Sequence, residues 1–397
     1  MLNIHPLEKP EVVRWFLPPS KSHMIRCIAL ASQSESWTNL VFKGTPGRDI
    51  ESMAECMEKM GASIEREHQR WAIRGKVGGL DLPVSPLNCG NSATTANFVS
   101  AIAACMDGSI EIDGDQSLRK RDLSPMASTL RDLGCEVSAD HLPYTVSGPI
   151  CKGHSSIDES FSSQTLSGVI LASPAFPGEV RITLQGKAVS RWYRDLTIEY
   201  SSLSGWTGVY EEVVSLSPWV VGTPEVIEIP EESSLLPISL LFDRLHGTES
   251  LDYSKFEESP VGVSLGLAIS EAPGKVSLRD TSDVISPLAA LMAMGKGGEI
   301  VEAAHARGKE SNRIASTIRM LSSFGIEMEE RTDGLSIPGG QYPMEPSEEI
   351  DCEHDHRLAM TAAVLATKVG GRLSGHEICD VTHPGFLDMI SPELAEM

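Results

Sequence analysis

Asp49-Ile50-Glu51-Ser52-Met53-Ala54-Glu55-Cys56-Met57-Glu58-Lys59-Met60-Gly61-Ala62-Ser63-Ile64 is the stretch whose pattern sets the fold. Ile50, Met53, Met57 and Met60 recur at helical spacing, so 49–61 reads as an amphipathic helix. Gly61 ends it, supplying the left-handed conformation of a helix C-cap, and a short alternating strand comes next. The same pattern returns at 124–134, with Met126, Leu130 and Leu133 before Gly134, then Cys135-Glu136-Val137. It returns again at 311–325, with Ile314, Ile318, Leu321 and Phe324 before Gly325, then Ile326-Glu327-Met328. A weaker copy runs through 196–203 into Gly205-Trp206-Thr207-Gly208-Val209. A helix–Gly–strand unit recurring along the whole chain predicts a repeated αβ module. The spacing is too long and uneven for a solenoid, so two α/β domains, each built from several copies, are expected.

Between these units lie segments with almost no charge on any face, at 94–104, 164–172, 235–242 and 284–294. A helix apolar all round must be buried. Polar clusters precede three of them: Asn88-Cys89-Gly90-Asn91-Ser92-Ala93-Thr94, Ser162-Ser163-Gln164 and Thr281-Ser282-Asp283. Such clusters cap helices by default and bind ligands where several converge. The stretch Pro18-Pro19-Ser20-Lys21-Ser22-His23-Met24-Ile25-Arg26 also opens a helix, with Ser20 or Ser22 as N-cap. Lys21 and Arg26 in its first turns oppose the helix dipole, and a bound phosphate or carboxylate would reverse that.

The chain has 397 residues, 41% hydrophobic and 22% charged, which suits a soluble protein of two or more domains. A net charge of −22 argues against non-specific nucleic-acid binding, which needs a basic field. An acidic protein that holds an anion must gather its few cations locally. There is no run of roughly 18 apolar residues, so no membrane span is expected. Met1-Leu2-Asn3-Ile4-His5 lacks the basic and apolar regions of a signal peptide. Eight cysteines at irregular spacings, with no Cys-x-x-Cys pair, fit reduced cytoplasmic thiols better than disulfides or a zinc site.

Taken in order, the polar motifs resemble those of the EPSP synthase family, the enolpyruvyl transferases of the shikimate pathway. Pro19-Ser20-Lys21-Ser22 through Arg26 is similar to its first phosphate-binding motif. Cys89-Gly90-Asn91-Ser92-Ala93-Thr94-Thr95 is similar to its phosphoenolpyruvate loop, and Leu118-Arg119-Lys120-Arg121 to the segment carrying a phosphoenolpyruvate-binding Arg. Ser162-Ser163-Gln164 and Val189-Ser190-Arg191-Trp192-Tyr193 resemble its shikimate-3-phosphate segments. Gly308-Lys309-Glu310-Ser311-Asn312-Arg313 and Asp355-His356-Arg357-Leu358-Ala359-Met360 resemble its two C-terminal signatures.

The resemblance implies a two-domain inside-out α/β barrel of the enolpyruvyl transferase type, each domain three βαβαββ repeats. The first domain would cover 18–229 and the second 1–17 plus 230–397, with the active site in the interdomain cleft. The implied reaction joins the 5-hydroxyl of shikimate-3-phosphate to C2 of phosphoenolpyruvate, then expels phosphate, with no metal or other cofactor. Holding two polyanions side by side calls for several cations. The resemblance assigns Lys21, Ser22, Arg26, Ser162, Ser163, Gln164, Ser190, Tyr193, Asp283 and Lys309 to shikimate-3-phosphate. It assigns Lys21, Asn91, Ala93, Thr94, Arg121, Gln164, Arg313 and Arg357 to phosphoenolpyruvate. Asp283 and Glu310, with Lys21, would move the protons. Read locally, Asp283 is also a helix N-cap, Glu310 a first-turn acid, and His356 an orienting or structural imidazole. No nucleic-acid or membrane partner is implied, and a cytoplasmic monomer is expected.

This chain departs from the family pattern on the phosphoenolpyruvate side, where Ala93 stands for a usual Gly, Asn97 for a common Arg and Val381 for a Lys; Asn312 also stands for the usual Asp of its motif. The Ala93 methyl and the missing Val381 cation imply tolerance of glyphosate, which occupies the phosphoenolpyruvate site. Two other readings remain open. One is an enolpyruvyl transferase with another acceptor, which the lack of a Cys in Asp115-Gln116-Ser117-Leu118 disfavours. The other is a non-catalytic paralogue that binds shikimate-3-phosphate, which retained Asp283, Glu310 and Arg121 disfavour.

Overall fold

The computed structural model describes residues 1–256, 259–268 and 274–390. The chain divides into two compact units, Pro19–Glu231 and Met1–Pro18 with Glu232–Met397.

The Pro19–Glu231 unit contains three sheets. One has the spatial order Val226–Glu228, Thr38–Val41, Arg70–Arg74, Ser63–Glu67. A second has the order Leu87–Asn88, Ser109–Asp113, Tyr144–Ser147, Glu136–Val137. Both begin with a parallel pair, continue with an antiparallel pair and end in a hairpin. The third joins Val213–Leu216, Val180–Gln185 and His154–Asp158. In the other unit the order Gly274–Ser277, Gly297–Val301, Gly334–Pro338, Glu329–Arg331 repeats the same pairing scheme. Its second described sheet joins Leu2–Ile4, Gly371–Ser374 and Ile350–Asp351.

The repeated glycine turns share one hydrogen-bond geometry. Gly61, Gly134 and Gly325 have φ of 97°, 93° and 75°, a region that a side chain disfavours. The N–H after each glycine donates five residues back: Ala62 to the Met57 carbonyl, Cys135 to Leu130, and Ile326 to Leu321, each at 3.0 Å. This bond closes a Schellman turn. The weaker copy has it too, since Trp206 N–H donates to the Ser201 carbonyl at 2.9 Å and Gly205 has φ 111°.

The segments beyond these glycines differ. After Gly325 the strand begins at Glu329 rather than Ile326, because Ile326 turns fully into the core. After Gly205 no strand forms until Val213, and Trp206 is buried instead. The helix ahead of Gly205 also starts earlier than its apolar spacing suggested, running Arg191–Leu203.

The uncharged segments are the central helices of each unit. Ala93–Ala103 and Gln164–Ala172 pack together in one. Leu236–His246 and Ile285–Met294 pack together in the other, and every residue of Ile285–Met294 is buried. Gly168 permits the close approach of the first pair: a Cβ there would sit 3.0 Å from the Asn97 carbonyl oxygen. The N-termini of these helices carry the polar clusters, and the packing fixes where those clusters lie.

Candidate active site

In the Pro19–Glu231 unit, three helix starts carry candidate residues. Lys21 is the first residue of Lys21–Ala31, whose first turn has no acidic side chain. Ser20 holds the N-cap position with extended backbone, but its hydroxyl pairs with His23 Nδ1 at 2.8 Å and makes no side-chain cap. Lys21 Nζ lies 2.9 Å from Asp49 Oδ2, and that carboxylate is almost wholly buried. Asp49 was not anticipated as a site residue; its position in the first turn of Arg48–Lys59, on a face read only as polar, concealed it.

At the start of Ala93–Ala103, Ser92 Oγ accepts from Thr95 N–H and caps the helix. Asn91 donates to Asp115 Oδ2 and accepts from Arg121 Nη2, each at 2.8 Å, so the loop positions that guanidinium. Gln164, the first residue of its helix, donates through Nε2 to Thr94 Oγ1 at 3.1 Å. Its Oε1 accepts from Asn97 Nδ2 at 3.2 Å, while Asn97 also donates to the Ala93 carbonyl. Gln164 N–H donates to Ser162 Oγ, and Ser163 holds the N-cap position. Ala93 and Thr94 remain partly exposed beside these bonds.

Ser190 takes φ 53°, a left-handed conformation rare for a residue with a side chain, and opens the Arg191–Leu203 helix. Backbone strain of this kind clusters at functional sites. The Ser190 carbonyl accepts from Tyr193 N–H. Arg26 lies behind this surface, 1% exposed. It donates to Thr197 Oγ1 and to the Ser22 and Tyr193 carbonyls at 2.6–2.9 Å, and burial pushes its pKa down to about 10. Arg26 thus ties the Ser22 and Tyr193 backbones together from within.

In the other unit, one guanidinium organises the carboxylates. Arg313, fully buried, donates through Nη1 to Asp283 Oδ1 at 2.7 Å and through Nη2 to Glu310 Oε2 at 2.5 Å. Its Nε donates to Asp355 Oδ2 at 2.8 Å. Burial would lower the Arg313 pKa, but Asp355, Glu310 and Asp283 together reverse this and raise it. Lys309 Nζ stands 3.7 Å from Asp283 Oδ1.

The local structure around these carboxylates corrects two readings. Asp283 is not an N-cap: it sits in the Ser282–Val284 turn, and Val284 takes the cap position of Ile285–Met294. Glu310 is not in a first turn, because the helix begins at Arg313 with Asn312 as cap, accepting from Ala315 N–H. Asn caps as well as Asp, so the Asn312 departure leaves this helix start intact.

Asp355 is fully buried and caps His356–Val369, accepting from Arg357 N–H while also holding Arg313 and Ser311. Arg357 points its Nη1 and Nη2 at Ser234, at 2.9 and 2.6 Å. His356 is buried at the same helix start, and Val381 is buried, 4% exposed, in the His376–Val381 turn.

Arg26, Arg313 and Arg357 each bond protein atoms through the donors described here, while Arg357 Nε, buried, has no hydrogen-bond partner among the described residues. A substrate oxygen reaches the Arg26 or Arg313 bonds described here only by displacing a protein acceptor.

The sequence pattern of EPSP synthase (3-phosphoshikimate 1-carboxyvinyltransferase) matches residues 13–205 and 256–390. The chain belongs to the EPSP synthase family. Similar relatives include the 3-phosphoshikimate 1-carboxyvinyltransferase of Methanothrix thermoacetophila, 29% identical over 94% of this chain and 93% of that one. The protein of the same name from Nitrosopumilus maritimus is 28% identical over 96% and 93%. Among solved structures, EPSP synthase from Acinetobacter baumannii aligns with TM-score 0.74 at 22% identity, covering 98% of this chain and 96% of that one. The enolpyruvyl transferase NikO from Streptomyces tendae aligns with TM-score 0.70 at 12% identity, covering 99% and 97%. The EPSP synthase fold therefore accounts for both units, and the motif departures at Ala93, Asn97 and Val381 are departures within the family.

Proposed function

We infer that this chain transfers the carboxyvinyl group of phosphoenolpyruvate to the 5-hydroxyl of shikimate-3-phosphate, releasing phosphate. Membership of the EPSP synthase family supports the reaction. The observation that carries the reading to residues is Arg313 holding Asp283 and Glu310 on one guanidinium. Two carboxylates fixed by a common cation are pre-positioned for successive proton transfers.

In this proposal Asp283 takes the proton of the 5-hydroxyl as its oxygen bonds to C2 of phosphoenolpyruvate. C3 is protonated in the same step, with Glu310 as donor and Lys21 stabilising the phosphate. The tetrahedral adduct then loses a C3 proton back to Glu310 as the C2–O bond to phosphate breaks, which restores the double bond, and the hydroxyl proton held by Asp283 passes to the departing phosphate. Shikimate-3-phosphate is held by Lys21, Ser22, Ser162, Ser163, Gln164, Ser190, Tyr193 and Lys309, with Arg26 supporting Ser22 and Tyr193 from behind. Phosphoenolpyruvate is held by Asn91, Ala93, Thr94, Arg121 and Gln164, with Arg357, and its carboxylate competes with the protein carboxylates for Arg313. The enzyme works as a cytoplasmic monomer in this reading, and eight free thiols support a reducing compartment.

A phosphate-release assay with phosphoenolpyruvate and a panel of acceptors tests the assignment. Release with shikimate-3-phosphate but not with shikimate or UDP-N-acetylglucosamine is expected. Preference for another acceptor would overturn it.

A further inference from the structure

Glu159 joins the two shikimate-3-phosphate segments of the Pro19–Glu231 unit. It directly follows the strand His154–Asp158 and lies three residues before Ser162. Its backbone N–H donates to the Gln185 carbonyl, and its own carbonyl accepts from Val189 N–H, each at 3.0 Å. Immediately after Val189 comes Ser190, at φ 53°. A left-handed residue with a side chain persists only where its surroundings over-determine it. The Val189 bond holds the chain just ahead of that residue.

The side chain of Glu159, a buried residue, holds the chain just beyond it. Glu159 Oε2 accepts from Tyr210 Oη at 2.8 Å, and Oε1 lies 3.4 Å from Arg194 Nη1. Arg194 Nη1 also donates to Tyr210 Oη at 2.6 Å. Arg194 is itself buried, in the first turn of Arg191–Leu203 and directly after Tyr193. Its guanidinium carbon lies over the Tyr210 ring, 4.0 Å from the centroid, within cation–π range. Burial, and after it the Glu159 bond, push Tyr210 up to about 12, so at neutral pH the phenol keeps the proton it donates. Tyr210 comes from the strandless stretch between Gly205 and Val213 and belongs to none of the site motifs.

We propose that Glu159 and Tyr210 are positioning residues for shikimate-3-phosphate. With Arg194 they clamp Ser190 and Tyr193 from both sides and tie that segment to Ser162 and Ser163. They act through these residues rather than by contact with the substrate. The inference rests on the acceptor assigned above. Arg194 also supplies a control, because its Nε donates to Asp195 Oδ1 at 2.9 Å and that side chain is 59% exposed. An ion-pair partner so exposed contributes little.

Calorimetric titration of the purified full-length chain with shikimate-3-phosphate, paired with steady-state kinetics, tests this. Tyr210→Phe keeps the ring over Arg194 and removes both hydroxyl bonds. Shikimate-3-phosphate should bind about tenfold more weakly, and its KM should rise in step. The KM for phosphoenolpyruvate and kcat should change by less than about twofold, a split that general loosening of the fold would not produce. Glu159→Ala should weaken binding more than Glu159→Gln, which retains an acceptor for Tyr210. Asp195→Asn should stay within about twofold of the native affinity. Melting checks that each variant is folded. Native-like affinity in folded Tyr210→Phe, an equal loss in Asp195→Asn, or equal rises in both KM values would overturn the proposal. No binding by the unmodified chain would overturn the acceptor assignment itself, and this inference with it.

Discussion

Asn97 Nδ2 and Gln164 Oε1 lie 3.2 Å apart, joining the second turn of Ala93–Ala103 to the first residue of Gln164–Ala172. Because Gln164 also donates to Thr94, the pair fixes its carboxamide beside the loop that bears Ala93. In the family pattern this position is commonly Arg. Here a neutral amide keeps the geometry and omits the charge.

Asn97→Leu removes that restraint and leaves a half-buried amide oxygen unpaired. Losing such a bond costs about 1–3 kcal/mol. The KM for phosphoenolpyruvate should rise about tenfold, with the KM for shikimate-3-phosphate much less affected. Steady-state kinetics with each substrate varied in turn decides it, and unchanged constants would mean that Asn97 only fills space.

Glu310→Gln and Asp283→Asn keep shape and remove a proton acceptor. General acid–base groups contribute about 100- to 10,000-fold, so turnover should fall within that span. Since neither residue caps a helix, the melting temperature should not fall for loss of a cap. Near-native turnover in either variant would assign the proton to another group.

The Ala93 methyl stands partly exposed between Ser92 and Thr94. Glyphosate is longer than phosphoenolpyruvate, and overpacking against a methyl costs about 1–3 kcal/mol. Ala93→Gly should therefore tighten glyphosate inhibition about 5- to 150-fold while retaining turnover. Inhibition constants at fixed shikimate-3-phosphate test this; identical values would remove Ala93 from the inhibitor site.

His246 is pushed down to about 4, first by burial and then by Lys368. Its Nε2 pairs with Thr367 Oγ1, whose hydroxyl already donates to the Val364 carbonyl, so the imidazole is the donor. The unfolded chain would take up a proton here from about pH 6.5 downward, whereas the folded chain resists until about pH 4. The stability from neutral His246 is thus complete above pH 6.5 and is lost as pH falls toward 4. Acidification also relieves repulsion in a chain of net charge −22, so the absolute melting trend mixes two effects of opposite sign. The difference between native protein and His246→Gln isolates the histidine. Their gap in melting temperature should narrow from pH 7 to pH 5, and a constant gap would contradict the assignment.

The periodic parts of this structure were readable in the sequence. Met53, Met57 and Met60 before Gly61 carry their own geometry, because a local Schellman turn needs only a glycine and a preceding helix. The strand after each glycine was less legible: Trp206 and Ile326 go to the core, and burial outweighs a short alternating pattern. Site chemistry was legible as residue types and motif order, but not as pairings. Arg26 meets Thr197 across 171 positions and Arg313 meets Asp355 across 42, and no local rule links them. The acceptors that hold these cations, such as Asp49 for Lys21 and Asp355 for Arg313, were not legible in the sequence.

The central claim is carboxyvinyl transfer to shikimate-3-phosphate, and nuclear magnetic resonance of the reaction mixture tests it most directly. With both substrates present, the phosphoenolpyruvate phosphorus signal should convert one for one into inorganic phosphate. New vinylic protons should appear on a product that retains the 3-phosphate. Phosphate release without a vinylic product, or unchanged substrate signals at every salt concentration tried, would contradict the account.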